Sequence, residues 1–200
     1  MTQLPELPLT LSRQEIRKMI RQRRRTLTPE QQQEMGQQAA TRMMTYPPVV
    51  MAHRGAVLLS FDGELDTQPL IEQLWRAGKR VYLPVLHPFS AGNLLFLNYH
   101  PQSELVMNRL KIHEPKLDVR DVLPLSRLDV LITPLVAFDE YGQRLGMGGG
   151  FYDRTLQNWQ RYQMQPVGYA HDCQLVEKLP VEEWDIPLPA VVTPSKVWEW

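Results

Sequence analysis

Apolar positions recur along the chain with two different periods, and the points where the period changes mark the elements. Ser12 followed by Glu15 has the form of a capping box. Ile16, Met19, Ile20 and Leu27 then share one helical face, which predicts a helix to about Arg25. Thr28-Pro29-Glu30 is a second start signal and predicts a helix to about Tyr46, where Pro47 and Pro48 stop it. The continuous apolar run from Ala56 to Phe61 has the character of a buried parallel strand. Asp66 and Thr67 are suited to cap the helix that carries Leu70, Ile71, Leu74 and Trp75 and stops at Gly78; Arg80 to Leu86 reads as the next strand. Together these make a strand–helix–strand unit.

From His87 to Pro124 the pattern weakens, with Leu94 to Leu97 as one antiparallel strand amid loop. Leu128 to Thr133 is a further buried strand, which Val136 to Phe138 extends or follows. A glycine-rich run leads to a helix from about Phe151 to Tyr162, and Val167 to Ala170 and Ala190 to Thr193 supply the last strands. The expected fold is α/β: one three-layer domain over residues 13–200, with a mostly parallel central sheet flanked by helices and a loose arm at 1–12.

Composition adds mainly exclusions. Basic and acidic residues number 22 each, so the whole molecule has no bias toward nucleic acid or membrane. The lone Cys173 excludes an internal disulfide and a cysteine-based metal site. No apolar run approaches the ~18 residues of a membrane span, and no signal peptide is present, so a cytoplasmic setting is expected.

The candidate chemistry centres on Arg144 to Asp153. Four glycines, at 146 and 148–150, weaken both helix and strand, but they let backbone N–H groups approach an oxyanion. A strand, a glycine loop and a helix N-terminus in that order form a common phosphate site. The Walker spacing fails for want of its lysine, and the dinucleotide spacing fails because Phe151 stands where glycine is needed. Arg144 can add a bidentate guanidinium. Asp153 has two readings, a favourable charge at the helix start or a Mg²⁺ ligand.

Two other segments bear on the site. Arg13, Arg17, Arg21 and Arg24 project within about a quarter turn of one another, beside the apolar stripe of the first helix. The first of them can reach a polyphosphate, whereas the later ones read as a solvated basic face. Glu64, after the first strand, is either a loop carboxylate or an acceptor for a pair of donors on an aminopyrimidine-like ring. Asp185 reads as a loop carboxylate, the five histidines lack metal-ligand spacing, and the tryptophans, Trp184 among them, read as packing residues.

The segment Leu135 to Arg154 resembles the signature of the 5-formyltetrahydrofolate cyclo-ligase family. Supporting likeness lies in the basic first helix, Leu59-Ser-x-x-x-Glu64-x-x-Thr67, Gly78-Lys-Arg-Val-x-x-Pro84 and the closing Leu179-Pro…Asp185…Val191-Val-Thr193. The resemblance implies ATP- and Mg²⁺-dependent cyclisation of 5-formyltetrahydrofolate to 5,10-methenyltetrahydrofolate, with release of ADP and phosphate. It implies that the formyl oxygen is phosphorylated and that N10 then attacks. Such chemistry needs positioning more than a nucleophile. By the same resemblance ATP contacts fall on Arg13, Gln14, Glu15, Ile16 and Arg17, and on Arg144, Leu145, Gly146, Met147, Gly148, Gly149, Gly150, Phe151 and Tyr152. Arg144 and Tyr152 take catalytic roles. Leu59 and Glu64, with Gly150, Phe151 and Tyr152, surround the folate, while Asp153 and Asp185 hold the metal. The implied enzyme is a monomer acting on a small molecule, without nucleic acid or membrane.

The sequence departs from the family pattern at three places. Met147 and Gly149 stand where some members carry basic residues, and Phe151 stands where tyrosine is usual. The second acid of a closing His-Asp-x-x-x-Asp is missing from Trp184 to Pro189. A non-catalytic nucleotide or folate binder and a nucleic-acid binder are the readings from other classes.

Overall fold

The computed structural model describes residues 11–200, so most of the expected arm at 1–12 lies outside the described residues. Helix α1 (Arg13–Arg25) starts with the expected box, Ser12 and Glu15 exchanging side-chain to backbone bonds of 3.2 and 3.3 Å. Helix α2 (Pro29–Met43) is capped in the same way by Thr28 and Gln31. It ends short of Tyr46. Pro47 and Pro48 do not merely stop it but open a further short helix, α3 (Pro47–Met51), where a missing N–H costs nothing in the first turn.

Strand β1 (Arg54–Ala56) begins before the expected run and ends where that run was to start. The cause is Thr67. Its hydroxyl donates to the Leu58 carbonyl at 2.7 Å and accepts the Ser60 N–H at 3.1 Å, satisfying backbone groups that a longer strand would pair. Thr67 therefore does not cap helix α4 (Gln68–Arg76); Asp66 accepts the Gln68 N–H instead. Next come β2 (Arg80–Leu86), β3 (Leu94–Tyr99), a hairpin of β4 (Leu105–Met107) and β5 (His113–Pro115), and β6 (Val122–Leu123). After β7 (Val130–Thr133) the chain forms β8 (Ala137–Asp139) and β9 (Arg144–Leu145), then helix α5 (Phe151–Leu156). That helix is much shorter than expected, because Asn158 turns left-handed at φ 60° and a single 3-10 turn follows. Strands β10 (Gln165–Tyr169), β11 (Leu175–Val176), β12 (Ala190–Val192) and β13 (Val197–Glu199) complete the chain.

The large sheet runs β13-β12-β10-β7-β1-β2-β3-β6. Its five central strands are mutually parallel, and β13, β3 and β6 add antiparallel edges. From β1 the chain moves outward to β2, then returns to the other side of β1 for β7 and β10. The strand order thus reverses between β1 and β7, and the crevice beyond their carboxyl ends is where such sheets bind ligands.

Side-chain alternation divides the core. Val57, Val81, Val130, Ile132 and Val192 face a layer formed by α2, α3 and α4. Ala56, Tyr82, Leu131 and Val191 face the other way, toward Phe138 and Leu156. The layer on that second face contains only one short helix; much of the rest is the small sheet β11-β8-β9. Ile16 and Ile20 of α1 pack against that small sheet with Val136, Ala137, Leu145, Val176 and Leu179. Truncating fully buried Ile20 to alanine is expected to cost about 2–5 kcal/mol in urea unfolding. A loss below about 0.5 kcal/mol would show that α1 is not docked through this face.

Candidate active site

Beyond the ends of β1, β2 and β7 lies a cavity of about 690 Å³. Leu58, Leu59 and Glu64 reach it from the segment after β1, Leu83 and Leu86 from β2, and Pro134 and Leu135 from the end of β7. The glycine loop closes one side and the first half of α1 overhangs it through Arg13, Gln14, Arg17 and Arg21.

Arg144 is buried at the root of the glycine loop. Its Nε donates to the Pro134 carbonyl at 2.8 Å, and Nη1 lies 3.4 Å from Asp153 Oδ1. The guanidinium stands 5.7 Å from the centre of the Tyr152 ring. Burial pushes its pKa down while Asp153 opposes the shift, and an arginine stays charged through such a change. Gly146 is required by this neighbour, since a Cβ there would meet Arg144 Nη2 at 2.9 Å. Gly148 is required by its backbone, which sits at φ +105°. None of the N–H groups from Gly146 to Gly150 donates to an acceptor among the described residues. At six residues α5 supplies little helix dipole, contrary to the sequence expectation, so the positive potential beside the loop comes from these N–H groups and from arginines.

Arg17 Nε donates to the Gly146 carbonyl at 2.7 Å, joining α1 to the loop. Burial, followed by the nearby charges of Arg13 and Arg21, pushes its pKa down, which marks a site with excess positive charge. Arg13 is held differently, with Nη1 and Nη2 at 2.7 and 3.1 Å from the two oxygens of Asp185. That hydrogen-bonded pairing raises the Arg13 pKa.

The same pairing occupies both oxygens of Asp185, which the resemblance makes a metal ligand. Its side chain is 3% exposed, Oδ2 also accepts the Glu182 N–H at 2.7 Å, and it is absent from the cavity wall. Asp153 does reach the cavity. Its Oδ1 faces Arg144 and the Ile186 N–H, while Oδ2 has no partner among the described residues. Among those residues no group of three or more His, Cys, Asp or Glu side chains is arranged to hold a metal. Asp153, which lines the cavity with one oxygen unpartnered among the described residues, is a carboxylate available to hold a cation there.

Glu64 is half-buried in the cavity wall and accepts the Phe61 N–H at 3.1 Å. Burial pushes its carboxyl up to about 7, against the smaller opposing effects of that N–H and of Arg24. Tyr152 is pushed well above the ordinary phenol range by burial, so its hydroxyl keeps its proton.

Not every expected residue arrives. Ile16 and Leu145 are sealed in the core at 1% exposure, and Glu15 is occupied in the α1 cap; none of the three lines the cavity. The later arginines are not simply a solvated face. Arg24 is buried beneath the Glu64 loop with its guanidinium 3.9 Å from Asp62, and Arg21 lines the cavity. Trp184 is no packing residue, being 64% exposed on the cavity rim. The sequence also hid the β4–β5 hairpin, which contributes Asn108, Leu110, Ile112 and His113 to the wall. Glu114 ties that hairpin to the sheet edge by accepting from Leu86 N and Asn108 Nδ2.

A sequence model of the 5-formyltetrahydrofolate cyclo-ligase family matches residues 10–194. The chain belongs to that family. It is 96% identical over 182 residues to the Escherichia coli K12 protein named 5-formyltetrahydrofolate cyclo-ligase, covering 91% of this chain and 100% of that one. Its Haemophilus influenzae counterpart is 53% identical over 179 residues, 90% and 96% of the two chains. The solved Aquifex aeolicus 5,10-methenyltetrahydrofolate synthetase superposes with a TM-score of 0.80 at 28% identity, over 94% of this chain and 93% of the other. Fold and family thus agree with the resemblance carried by the glycine signature.

Glu64 has a measurable signature. Because its folded pKa lies above the ordinary 4.5, the folded state holds the extra proton between 4.5 and about 7. Stability is therefore expected to fall as pH rises through that window. Glu64→Gln should flatten this part of a urea-unfolding profile; a slope identical in both proteins would remove Glu64 as its source.

Proposed function

We propose that this chain is an ATP- and Mg²⁺-dependent enzyme that cyclises 5-formyltetrahydrofolate to 5,10-methenyltetrahydrofolate, releasing ADP and phosphate. The observation that carries the reading is the row of unpaired N–H groups from Gly146 to Gly150, flanked by Arg17 and Arg144 and sharing one cavity with Glu64. A polyphosphate fits the cationic end of that cavity, and a flat apolar ring system fits the end walled by Leu58, Leu59, Leu83 and Leu135. Bound ATP supplies the phosphoryl group that makes the formyl oxygen a leaving group, so that N10 closes the ring as phosphate departs.

The protein's own part in this reading is positioning and charge. Arg17 and the loop N–H groups bind the phosphates, with Arg13 oriented beside them by Asp185. Arg144, fixed by Pro134 and Asp153, meets charge that develops on the transferring oxygens; a pre-ordered donor is effective there because it need not reorganise. Tyr152 offers a protonated hydroxyl and a ring that orients Arg144. Glu64 accepts a donor pair from the pterin-like ring beside Leu59. Oδ2 of Asp153 is the protein ligand we assign to Mg²⁺. The same reading takes the enzyme as a cytoplasmic monomer that engages neither nucleic acid nor membrane.

The deciding assay mixes protein, 5-formyltetrahydrofolate and Mg²⁺ and follows methenyl absorbance with and without ATP. Product is expected only with ATP, and its formation should stop with chelator and resume with added Mg²⁺. Equal signals with and without ATP would sink the reading. Arg144→Ala should lower kcat/KM about tenfold to hundredfold, the loss of a charge-assisted contact. Unaltered kinetics would remove Arg144 from the reaction. If Glu64 binds the ring as a carboxylate, folate affinity should rise with pH through about 7, and Glu64→Gln should abolish that rise.

A further inference from the structure

Arg154 lies in α5, exposed, and does not line the cavity. Its guanidinium nevertheless bridges two loops that do not otherwise pair. Nη2 donates to the Gly149 carbonyl at 2.6 Å, and Nε donates to the Gly92 carbonyl, in the turn between β2 and β3, also at 2.6 Å. The Phe151 ring lies alongside, its centre 5.4 Å from the guanidinium carbon. Two glycines far apart in sequence make room for this group. A Cβ on Gly92 would meet Nη2 at 2.6 Å and one on Gly150 would meet Nη1 at 2.8 Å, and both glycines sit at positive φ.

A trans peptide is planar, so its C=O and N–H point in opposite directions. With the Gly149 carbonyl drawn outward to Arg154, the Gly150 N–H of the same peptide turns the other way, toward the cavity that both glycines line. Arg17 also holds a loop carbonyl, that of Gly146, three peptides earlier. An oxyanion in the loop then meets N–H groups rather than carbonyl oxygens, whose partial negative charge would repel it. We infer that Arg154 is a positioning residue for phosphate binding: held by Gly92, it keeps the Gly149 carbonyl out of the cavity and so aims the Gly150 N–H at the anion. The inference rests on the phosphate-binding reading given above. It requires the planar fork of arginine, because a lysine ammonium keeps the charge but cannot reproduce its fixed two-way geometry.

Steady-state kinetics on the full chain tests this with Arg154→Ala, Arg154→Lys, Gly92→Ala and the Arg154→Ala/Gly92→Ala double variant. Gly92 is outside the cavity wall; alanine there crowds the Arg154 guanidinium and, at φ +82°, also strains the turn, so the urea midpoint of Gly92→Ala is read beside its kinetics. Each variant is expected to raise the KM for ATP about tenfold, with kcat within about threefold and the folate KM unchanged. The double variant should be no worse than Arg154→Ala alone. Urea unfolding midpoints close to the parent's would show that the fold is kept, and Arg154→Lys serves where Arg154→Ala is less stable. A parental ATP KM in Arg154→Lys, equal rises for both substrates, or additive effects in the double variant would overturn the inference. A parent chain without ATP-dependent turnover would overturn both readings. A parent that turns over, with variants that keep its ATP KM, would overturn this one alone.

Discussion

Helix α1 rests on the small sheet through Ile16 and Ile20, and the geometry of the cavity depends on that docking. The same helix that buries this apolar stripe carries arginines at both ends. Near its start Arg13 holds Asp185 and Arg17 holds the glycine loop. Near its end Arg24, itself buried, lies under the loop that presents Glu64. One amphipathic helix therefore sets the separation between the arginine-lined end of the cavity and the end that carries Glu64. Its charged side chains are ordered because their stems and neighbours are packed, which reduces the entropy lost when they bind.

Two carboxylates near the cavity, Asp153 and Asp185, hold guanidiniums. Asp185 orients Arg13 with both oxygens, and Asp153 steadies Arg144 with one while keeping the other available. In a partly desolvated cleft this matters twice. The pairs offset the cost of burying charge, and Arg17 and Arg21, which meet no carboxylate among the described residues, leave this end of the cleft positive. The second acid of the resembled pattern is missing after Asp185, and Asp185 itself is a partner of Arg13.

The loop carries no charged side chain between Arg144 and Asp153. The structure surrounds the loop with arginines instead. Arg144 lies beneath it, Arg17 grips the Gly146 carbonyl, and Arg154 grips that of Gly149. A loop of glycines has little stiffness of its own. Holding two of its carbonyls with arginines gives it a defined shape.

Much of this was legible in one dimension. The caps at Ser12 and Thr28, the strand from Arg80 to Leu86 and the glycine loop after a strand and before a helix all follow from short-range rules. Period-2 and period-3.6 burial encode these within a few residues. The misreadings share one cause. Strand β1 stops at Ala56 because Thr67, distant along the chain, takes its next backbone partners, and Ile16 and Leu145 are core because α1 and β9 meet. Asp185 as the partner of Arg13, Gly92 as the anchor of Arg154 and the β4–β5 hairpin as a cavity wall have no local signature at all. The sequence by itself determined which segments form elements and which residue types can bind an anion. Only the tertiary structure decided which guanidinium meets which carbonyl or carboxylate, because those hydrogen bonds join residues as much as 172 positions apart and depend on distances that no local pattern encodes.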